Sequence, residues 1–335
     1  MADPMVLIVA VVIAALAFDY TNGWNDSANA IATVVSTRVL SPGRAVILAA
    51  LLNFGGAFVS EEVAKTIGTG LVDPQFVSQA VVLASMIAAA MWVGTMTFIG
   101  MPISGSHSLI GSLIGAATMA RGWEIVHFAG LKKVLIAMLL SPLLGLALGF
   151  LLMWALLWII RRWGPGRVQG VFGKAQLASV SWMAWEHGSN DAQKVMGVIT
   201  LALVAGGFQA QGDHSIPLWV KLACATAMGV GTAAGGWKVI RTLGSGLIKI
   251  QPIHGFAAET AASATLMTAA QLGVPVSTTH TITGAIMGVG ATKRLSAVRW
   301  GLGGKILLAW VFTLPMTALI SAATYRALNW MFGLV

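Results

Sequence analysis

Charge is what this sequence has least of. Asp, Glu, Lys and Arg make up 9% of its 335 residues, against about 25% in a soluble globular domain. So few charges cannot cover a water-facing surface, which excludes a soluble enzyme or a solvated binding module. Alternation of apolar and polar residues is missing too. The run over 134–160 is continuously apolar, whereas the strands of a membrane barrel alternate. Membrane helices remain, because they satisfy every backbone group within the segment. There is one cysteine, Cys224, so no intramolecular disulfide can form. It lies in an apolar run and reads as a small core residue. No basic stretch precedes the first apolar run and no small-residue cleavage site follows it cleanly, so a retained helix is expected there.

What is present is apolar residue, 57% of the chain, with a mean hydropathy of +0.83. An all-α polytopic membrane protein follows, with room for about ten spanning or half-spanning helices at about 20 residues each. The net charge of +9 would suggest a nucleic-acid partner in a soluble protein. In a membrane protein, Lys and Arg mark cytoplasmic loops instead, and no nucleic-acid partner is expected. Arg161, Arg162, Arg167 and Lys174 sit at mid-chain without an acid among them. Residues 161–174 therefore read as a basic, turn-rich cytoplasmic connector, and Pro142 is expected to kink or split the run before it.

The connector divides a repeat. Gly23-Trp24-Asn25-Asp26 is answered by Gly188-Ser189-Asn190-Asp191, and Lys65-Thr66-Ile67-Gly68 by Arg241-Thr242-Leu243-Gly244. Pro102 is answered by Pro275, and Lys132 and Pro142 by Lys305 and Pro315. The intervals are 165, 176, 173 and 173 residues (26 to 191, 65 to 241, 102 to 275, 132 to 305). Residues 1–160 and 175–335 thus form a first and a second repeat. With the connector inside and both termini outside, each half crosses an odd number of times, so the repeats have inverted topology.

Two kinds of polar cluster interrupt the apolar runs. The first is Asn22 to Asn29, read as a break between the helical stretches on either side. An ionised Asp in mid-membrane costs about 2.5–3.5 kcal/mol, so Asp26 needs a reason to be there. With Asn25 and Asn29 it offers hard oxygen ligands that suit Na⁺, and a carboxylate can also hold a proton. Asn190 and Asp191 repeat the arrangement. Asp26 and Asp191 are therefore the candidate metal ligands, for Na⁺, if sodium is the coupling ion. Helix packing or capping is the competing role for such residues.

The second cluster holds hydroxyls. Pro102 precedes Ser104, Gly105, Ser106, His107 and Ser108; Pro275 precedes Ser277, Thr278, Thr279, His280 and Thr281. A half-helix starting inside the membrane leaves its first amides unpaired, with its positive dipole end pointing inward. An anion can sit there among amides and hydroxyls. Two such starts meeting would hold a multivalent oxyanion. Small residues also permit close helix packing, the role expected of Gly111, Gly115, Gly284 and Gly288.

Glu186 and Glu259 are further intramembrane acids, each able to carry a proton or second cation or to pair with a base such as Lys194 or Lys238. His107 and His280 read as packing residues or as a proton relay. Lys65 and Arg241 either snorkel to the interface or line an anion path. A Ser104–His107 hydrolase would lack both an orienting acid and a nucleophile elbow, so the chain reads as no enzyme.

Phe18-Asp19-Tyr20-Thr21-Asn22-Gly23-Trp24-Asn25-Asp26-Ser27-Ala28-Asn29, continuing to Arg38, resembles the signature of the inorganic phosphate transporter (PiT) family. So do His187-Gly188-Ser189-Asn190-Asp191-Ala192-Gln193-Lys194, continuing to Gly197, and Pro275-Val276-Ser277-Thr278-Thr279-His280. The resemblance spans both halves. It implies a secondary active transporter that imports inorganic phosphate by symport with H⁺ or Na⁺, needs no cofactor and forms a homodimer. It implies cation-coupling roles for Asn25, Asp26, Asn29, Asn190 and Asp191. It also implies phosphate contacts from Ser104, Ser106, Ser108, Ser277, Thr278 and Thr279, with Gly105 at the same tip. Glu259, His107 and His280 remain candidates for a proton or second-cation site. The length resembles compact bacterial members, hence a multi-pass protein of the bacterial inner membrane. Two departures stand out. Lys65 replaces a glutamate of animal members, and the first tip reads Ser-Gly-Ser, one hydroxyl short of Ser-Thr-Thr. A symporter of another oxyanion such as sulfate, or an anion channel, are the alternatives. The Asn-Asp pairs favour phosphate over sulfate.

Overall fold

The computed structural model describes residues 3–73, 76–210, 212–213 and 215–333, without the side chains of 68 and 69. Among the described residues twelve α-helices follow one another. They are α1 (Pro4–Ser36), α2 (Pro42–Gly56), α3 (Glu62–Gly70), α4 (Gln79–Ile99), α5 (Gly105–Arg121), α6 (Phe128–Ile160), α7 (Pro165–Ala205), α8 (Leu218–Ala234), α9 (Trp237–Arg241), α10 (Pro252–Gln271), α11 (Thr278–Lys293) and α12 (Trp300–Phe332). Among the described residues, extended pairing is limited to an isolated bridge between Val72 and Val126. Proline opens the first turn of α1, α2, α7 and α10, where its missing N–H costs nothing. Ser78, Ser104 and Ser277 cap α4, α5 and α11 through their hydroxyls.

The helices come as two sets of six. Short α3 and α9 follow α2 and α8, hairpins α4–α5 and α10–α11 come next, and α6 and α12 close each set at 33 residues apiece. On α6 only Val134, Met138, Ser141, Gly145, Gly149 and Met153 are buried. On α12 only Ile306, Trp310, Thr313, Thr317, Ser321 and Tyr325 are buried, with the same spacing. Each is one inward stripe. The remaining face stays aliphatic, with Leu139 71% and Leu319 66% exposed, as a lipid-facing helix requires. By length and composition α1, α4, α6 and α12 can each cross a membrane, and α8 with the α9 segment makes a fifth, bent span.

The two sets are interleaved. α5 lies along α12 and α11 along α6, while α1 packs on α8 and α7 on α2. At Gly284 and Gly288 a Cβ would stand 2.2 and 2.1 Å from the carbonyl oxygens of Pro142 and Leu146, so α11 and α6 touch backbone to backbone. Gly111 and Gly115 do the same against α12. Each apolar core draws on both sets. One joins the start of α1 to the end of α7, the other the end of α1 to the start of α7. α1 and α7 are therefore antiparallel, as their contacts also show: Asn22 meets Asp191, Asp26 meets His187 and Thr37 meets Gln176. The polar clusters of both helices lie between the two cores.

Three sequence expectations are corrected. The break expected over Asn22–Asn29 does not occur. α1 runs unbroken for 33 residues, and α7 likewise for 41 through Gly188–Asp191. Short polar side chains break helices by bonding their own backbone. Here Asn22, Asn25, Asp26 and Asn29 find partners on other helices instead. The break lies between α8 and α9, which meet at 62°. There Gly235 takes φ +67, and a Cβ on Gly236 would stand 2.3 Å from the Trp24 carbonyl oxygen. Second, of the kink or split expected at Pro142, the split does not occur, and α6 is one helix of 33 residues. The Met138 carbonyl that loses its donor to the proline accepts from the Ser141 hydroxyl at 3.3 Å, a repair open to membrane helices. Third, the connector expected over 161–174 shortens to 161–164, because α7 starts at Pro165.

Candidate anion and cation site

The hairpin tips face each other through a reciprocal pair of contacts. Ser106 Oγ donates to the Val276 carbonyl at 3.1 Å, and Thr279 Oγ1 lies 3.0 Å from the Ile103 carbonyl oxygen. Each tip is closed by its own serine cap, Ser104 accepting from His107 N–H and Ser277 from His280 N–H. The first amides beyond the caps, of Gly105, Ser106, Thr278 and Thr279, have no carbonyl partner within their helices. They belong to two helix starts whose dipoles favour an anion. Ser108 is placed differently from the other tip residues. Its hydroxyl donates to the Ser104 carbonyl at 3.0 Å, inside its own helix, as Thr281 does to Ser277.

The first tip has glycine where the second has Thr278, and Asn22 explains it. A Cβ on Gly105 would stand 1.8 Å from Asn22 Oδ1. The amide of Asn22 fills the space a side chain would take, and donates to Asp191 Oδ2 at 3.2 Å.

The carboxylates lie against the second tip. Thr279 Oγ1 is 2.9 Å from Asp26 Oδ1, and Thr278 Oγ1 is 3.5 Å from Asp26 Oδ2 and 3.3 Å from Asp191 Oδ2. Asn29 Nδ2 donates to Thr279 Oγ1 at 3.0 Å and Thr278 Oγ1 at 3.4 Å. His187 Nε2 stands 3.6 Å from each carboxylate, and its Nδ1 is 3.2 Å from Asn53 Oδ1. Lys194 Nζ lies 2.5 Å from Asp191 Oδ1. All these groups are buried. The amide oxygens of Asn22, Asn29 and Asn190 meet no hydrogen-bond donor among the described residues. Buried carboxylates together with amide oxygens that lack donors among the described residues fit a hard cation such as Na⁺. Asp26, His187 and Asp191 bring ligand atoms within 4.8 Å of one another.

Asn25 and Asn190 are built into the scaffold. Asn25 Nδ2 donates to Thr97 Oγ1 at 2.8 Å and Asn190 Nδ2 to the Glu186 carbonyl at 2.9 Å. Glu259 is apart from the tips, two helical turns along α1 from Asp26 by way of Thr33. It accepts from Thr33, from Gln176 Nε2 at 2.9 Å and from Ser179. The expected pairing of Glu186 or Glu259 with Lys194 or Lys238 is not made. Lys194 is taken by Asp191, Lys238 donates to the Phe98 carbonyl, and Glu186 accepts from Trp182. His107 and His280 meet edge to face at 4.5 Å, with His280 stacked on Trp310 at 3.8 Å. Trp310 in turn donates to the Pro102 carbonyl at 3.0 Å, which braces the first tip. Lys65 pairs with Glu62 at 2.8 Å, half exposed and away from the tips.

Sequence reasoning gave no site role to His187 or Asn53 and offered Lys194 only as a partner for glutamates. One signal was available. Counting from the paired aspartates, His187 and Lys194 occupy the places of Asn22 and Asn29, so the repeat itself marks them as site positions.

A sequence model of the phosphate transporter family matches residues 22–321. A "Probable low-affinity inorganic phosphate transporter" of Rhizobium meliloti (strain 1021) is 45% identical over 322 residues, covering 96% of each chain. One of the same description from Bacillus subtilis (strain 168) is 42% identical, covering 98% of this chain and 99% of its own. Among solved structures, "The sodium-dependent phosphate transporter" superposes with a TM-score of 0.91 at 24% identity, covering 98% of this chain and 100% of that one; the all-helical membrane fold is thus the same. The chain belongs to the phosphate transporter family and is a membrane transporter, not an enzyme.

Proposed function

We propose that the chain imports inorganic phosphate by secondary active symport with H⁺ or Na⁺, and that the anion binds between the two hairpin tips. The observation that carries this is the sharing of Thr278 and Thr279. Both belong to the α11 start, and both hydroxyls touch the Asp26 carboxylate. A phosphate held at these amides lies beside two carboxylates. Like charges about 4 Å apart repel by about 4 kcal/mol near an effective dielectric of 20, a roughly thousandfold loss of affinity. A cation or proton on Asp26 removes that repulsion. Phosphate and coupling ion then bind together or not at all, as symport requires. Glu259, accepting from three donors with no base beside it among the described residues, is the candidate for a further proton.

Antiparallel α1 and α7 and the matching sets of six helices support an inverted repeat, and with it alternating access by rocking of one bundle against the other. Relatives from bacteria support a place in the bacterial inner membrane, and the resemblance supports a homodimer. The test is labelled phosphate uptake in cells lacking other carriers. Asp26→Asn and Ser277→Ala are expected to abolish uptake at normal expression. Normal uptake in either variant would overturn the site, and uptake of labelled sulfate that excess phosphate fails to inhibit would overturn the substrate.

A further inference from the structure

The two halves differ at one decisive place. Three residues beyond its aspartate, the first half has Asn29 and the second has Lys194. Asn29 turns a neutral amide toward Thr278 and Thr279. Lys194 is 3% exposed and places its ammonium 2.5 Å from Asp191 Oδ1 and 3.1 Å from the Val276 carbonyl oxygen. One carboxylate and one backbone carbonyl are ligands that Na⁺ would also take. A buried charge costs several kcal/mol unless paired, and this one is paired with the Asp191 carboxylate and the Val276 carbonyl.

The carboxylates are correspondingly unequal. The Thr279 hydroxyl donates to Asp26, the Thr278 hydroxyl lies between the two carboxylates at 3.5 Å from Asp26 Oδ2 and 3.3 Å from Asp191 Oδ2, and no lysine or arginine meets Asp26 among the described residues. Asp191 has a full ammonium in contact. His187 lies equally far from both carboxylates, so it does not create the difference. The Val276 carbonyl that receives Lys194 also receives Ser106 and directly precedes the Ser277 cap. The ammonium is thereby fixed against the tip that would hold the anion.

We propose that the ammonium of Lys194 is the resident cation of the second half, so that the mobile coupling ion is taken up at Asp26 alone. This rests on the reading of Asp26 and Asp191 as paired cation sites. One consequence is a lower coupling number. A chain with asparagine in both places would carry one more cation with each phosphate than this one does. A second is that part of the positive charge next to the phosphate is permanent and does not follow the ion gradient.

The test uses purified protein in proteoliposomes, with the charge moved per phosphate taken from the reversal potential. Alongside it, thermal unfolding in detergent is followed as Na⁺ replaces N-methylglucamine, and as pH is varied. Lys194→Asn gives the second half the first half's residue. It is expected to move one more positive charge per phosphate and to show a cation- or proton-dependent rise in melting temperature larger than that of the wild type. Lys194→Arg keeps the charge and is expected to keep the wild-type value. Lys194→Asn combined with Asp191→Asn is expected to gain nothing, because the added ion needs the carboxylate. Lys194→Asn leaves Asp191 buried without its counter-charge, so it is prepared with Na⁺ and at low pH as well as without. Recovery only with an added cation or proton agrees with the proposal, and unfolding under every condition overturns it. An unchanged charge per phosphate in Lys194→Asn also overturns it. If Asp26→Asn leaves the cation dependence of the wild type intact, the paired-site reading itself fails, whatever the lysine variants do.

Discussion

Thr279 donates to Asp26 across the tip of α11, Oγ1 to Oδ1, at 2.9 Å. The residue that opens a candidate anion cradle is thus bonded to the carboxylate that would hold the coupling ion. Thr279→Val keeps the shape and deletes the donor. Losing a hydrogen bond to a charged group costs about 1.5–3 kcal/mol, or roughly 10- to 100-fold. Phosphate KM and the half-saturating coupling-ion concentration are expected to rise together, with Thr279→Ser near wild type. A shift in KM alone would separate the two sites.

Gly105→Ala should act through Asn22. The added Cβ meets Asn22 Oδ1, the far end of a side chain that can turn away, so the protein folds. Turning away detaches Asn22 from Asp191. The expected outcome is a near-normal melting temperature with uptake reduced at least about tenfold, as one hydrogen bond to a charged group, worth about 1.5–3 kcal/mol, implies. Wild-type uptake in Gly105→Ala would show that Asn22 has no part in transport.

Gly288→Val should act on folding instead. Its Cβ would lie 2.1 Å from the Leu146 carbonyl oxygen on α6, and backbone cannot turn away. Overpacking of this kind costs about 1–3 kcal/mol or more, visible as a melting temperature lower by several degrees and poor recovery from the membrane. Thermal unfolding of purified protein checks it, and an unchanged melting temperature would contradict the tight α11–α6 contact.

Glu259→Gln separates binding from coupling. Glu259 accepts from Thr33, Gln176 and Ser179, well along α1 from the tips. The amide keeps the shape, faces its NH₂ toward at least one donor, and cannot carry a proton on and off. Phosphate-for-phosphate exchange is expected to persist while net accumulation falls. Loss of both to the same degree would assign Glu259 a structural role only.

The tips were legible because proline, hydroxyls and histidine recur at a fixed interval, and any sequence pass finds a doubled pattern. The aspartates were legible because an acid in an apolar chain needs explaining. The continuity of α1 was not. Whether Asn22, Asn25 and Asn29 break a helix depends on what stands opposite, and their partners Asp191, Thr97 and Thr279 lie far along the chain. The ion pair of Lys194 with Asp191 is local, yet a lysine among apolar residues also reads as a snorkelling side chain. Only its contacts with Asp191 and Val276 show that it stays inside. Glycine at 105 looked like one donor fewer; with Asn22 in place it is the residue that lets an amide approach the tip.

Coupling at Asp26 is tested most directly in proteoliposomes on which Na⁺ and pH gradients are imposed separately. The wild type is expected to accumulate phosphate above equilibrium under one of these gradients and to lose that accumulation when the gradient is collapsed. Asp26→Asn, folded and inserted, is expected to accumulate none under either. Gradient-driven accumulation by Asp26→Asn equal to wild type, or wild-type uptake that only ever equilibrates, would contradict symport through this site.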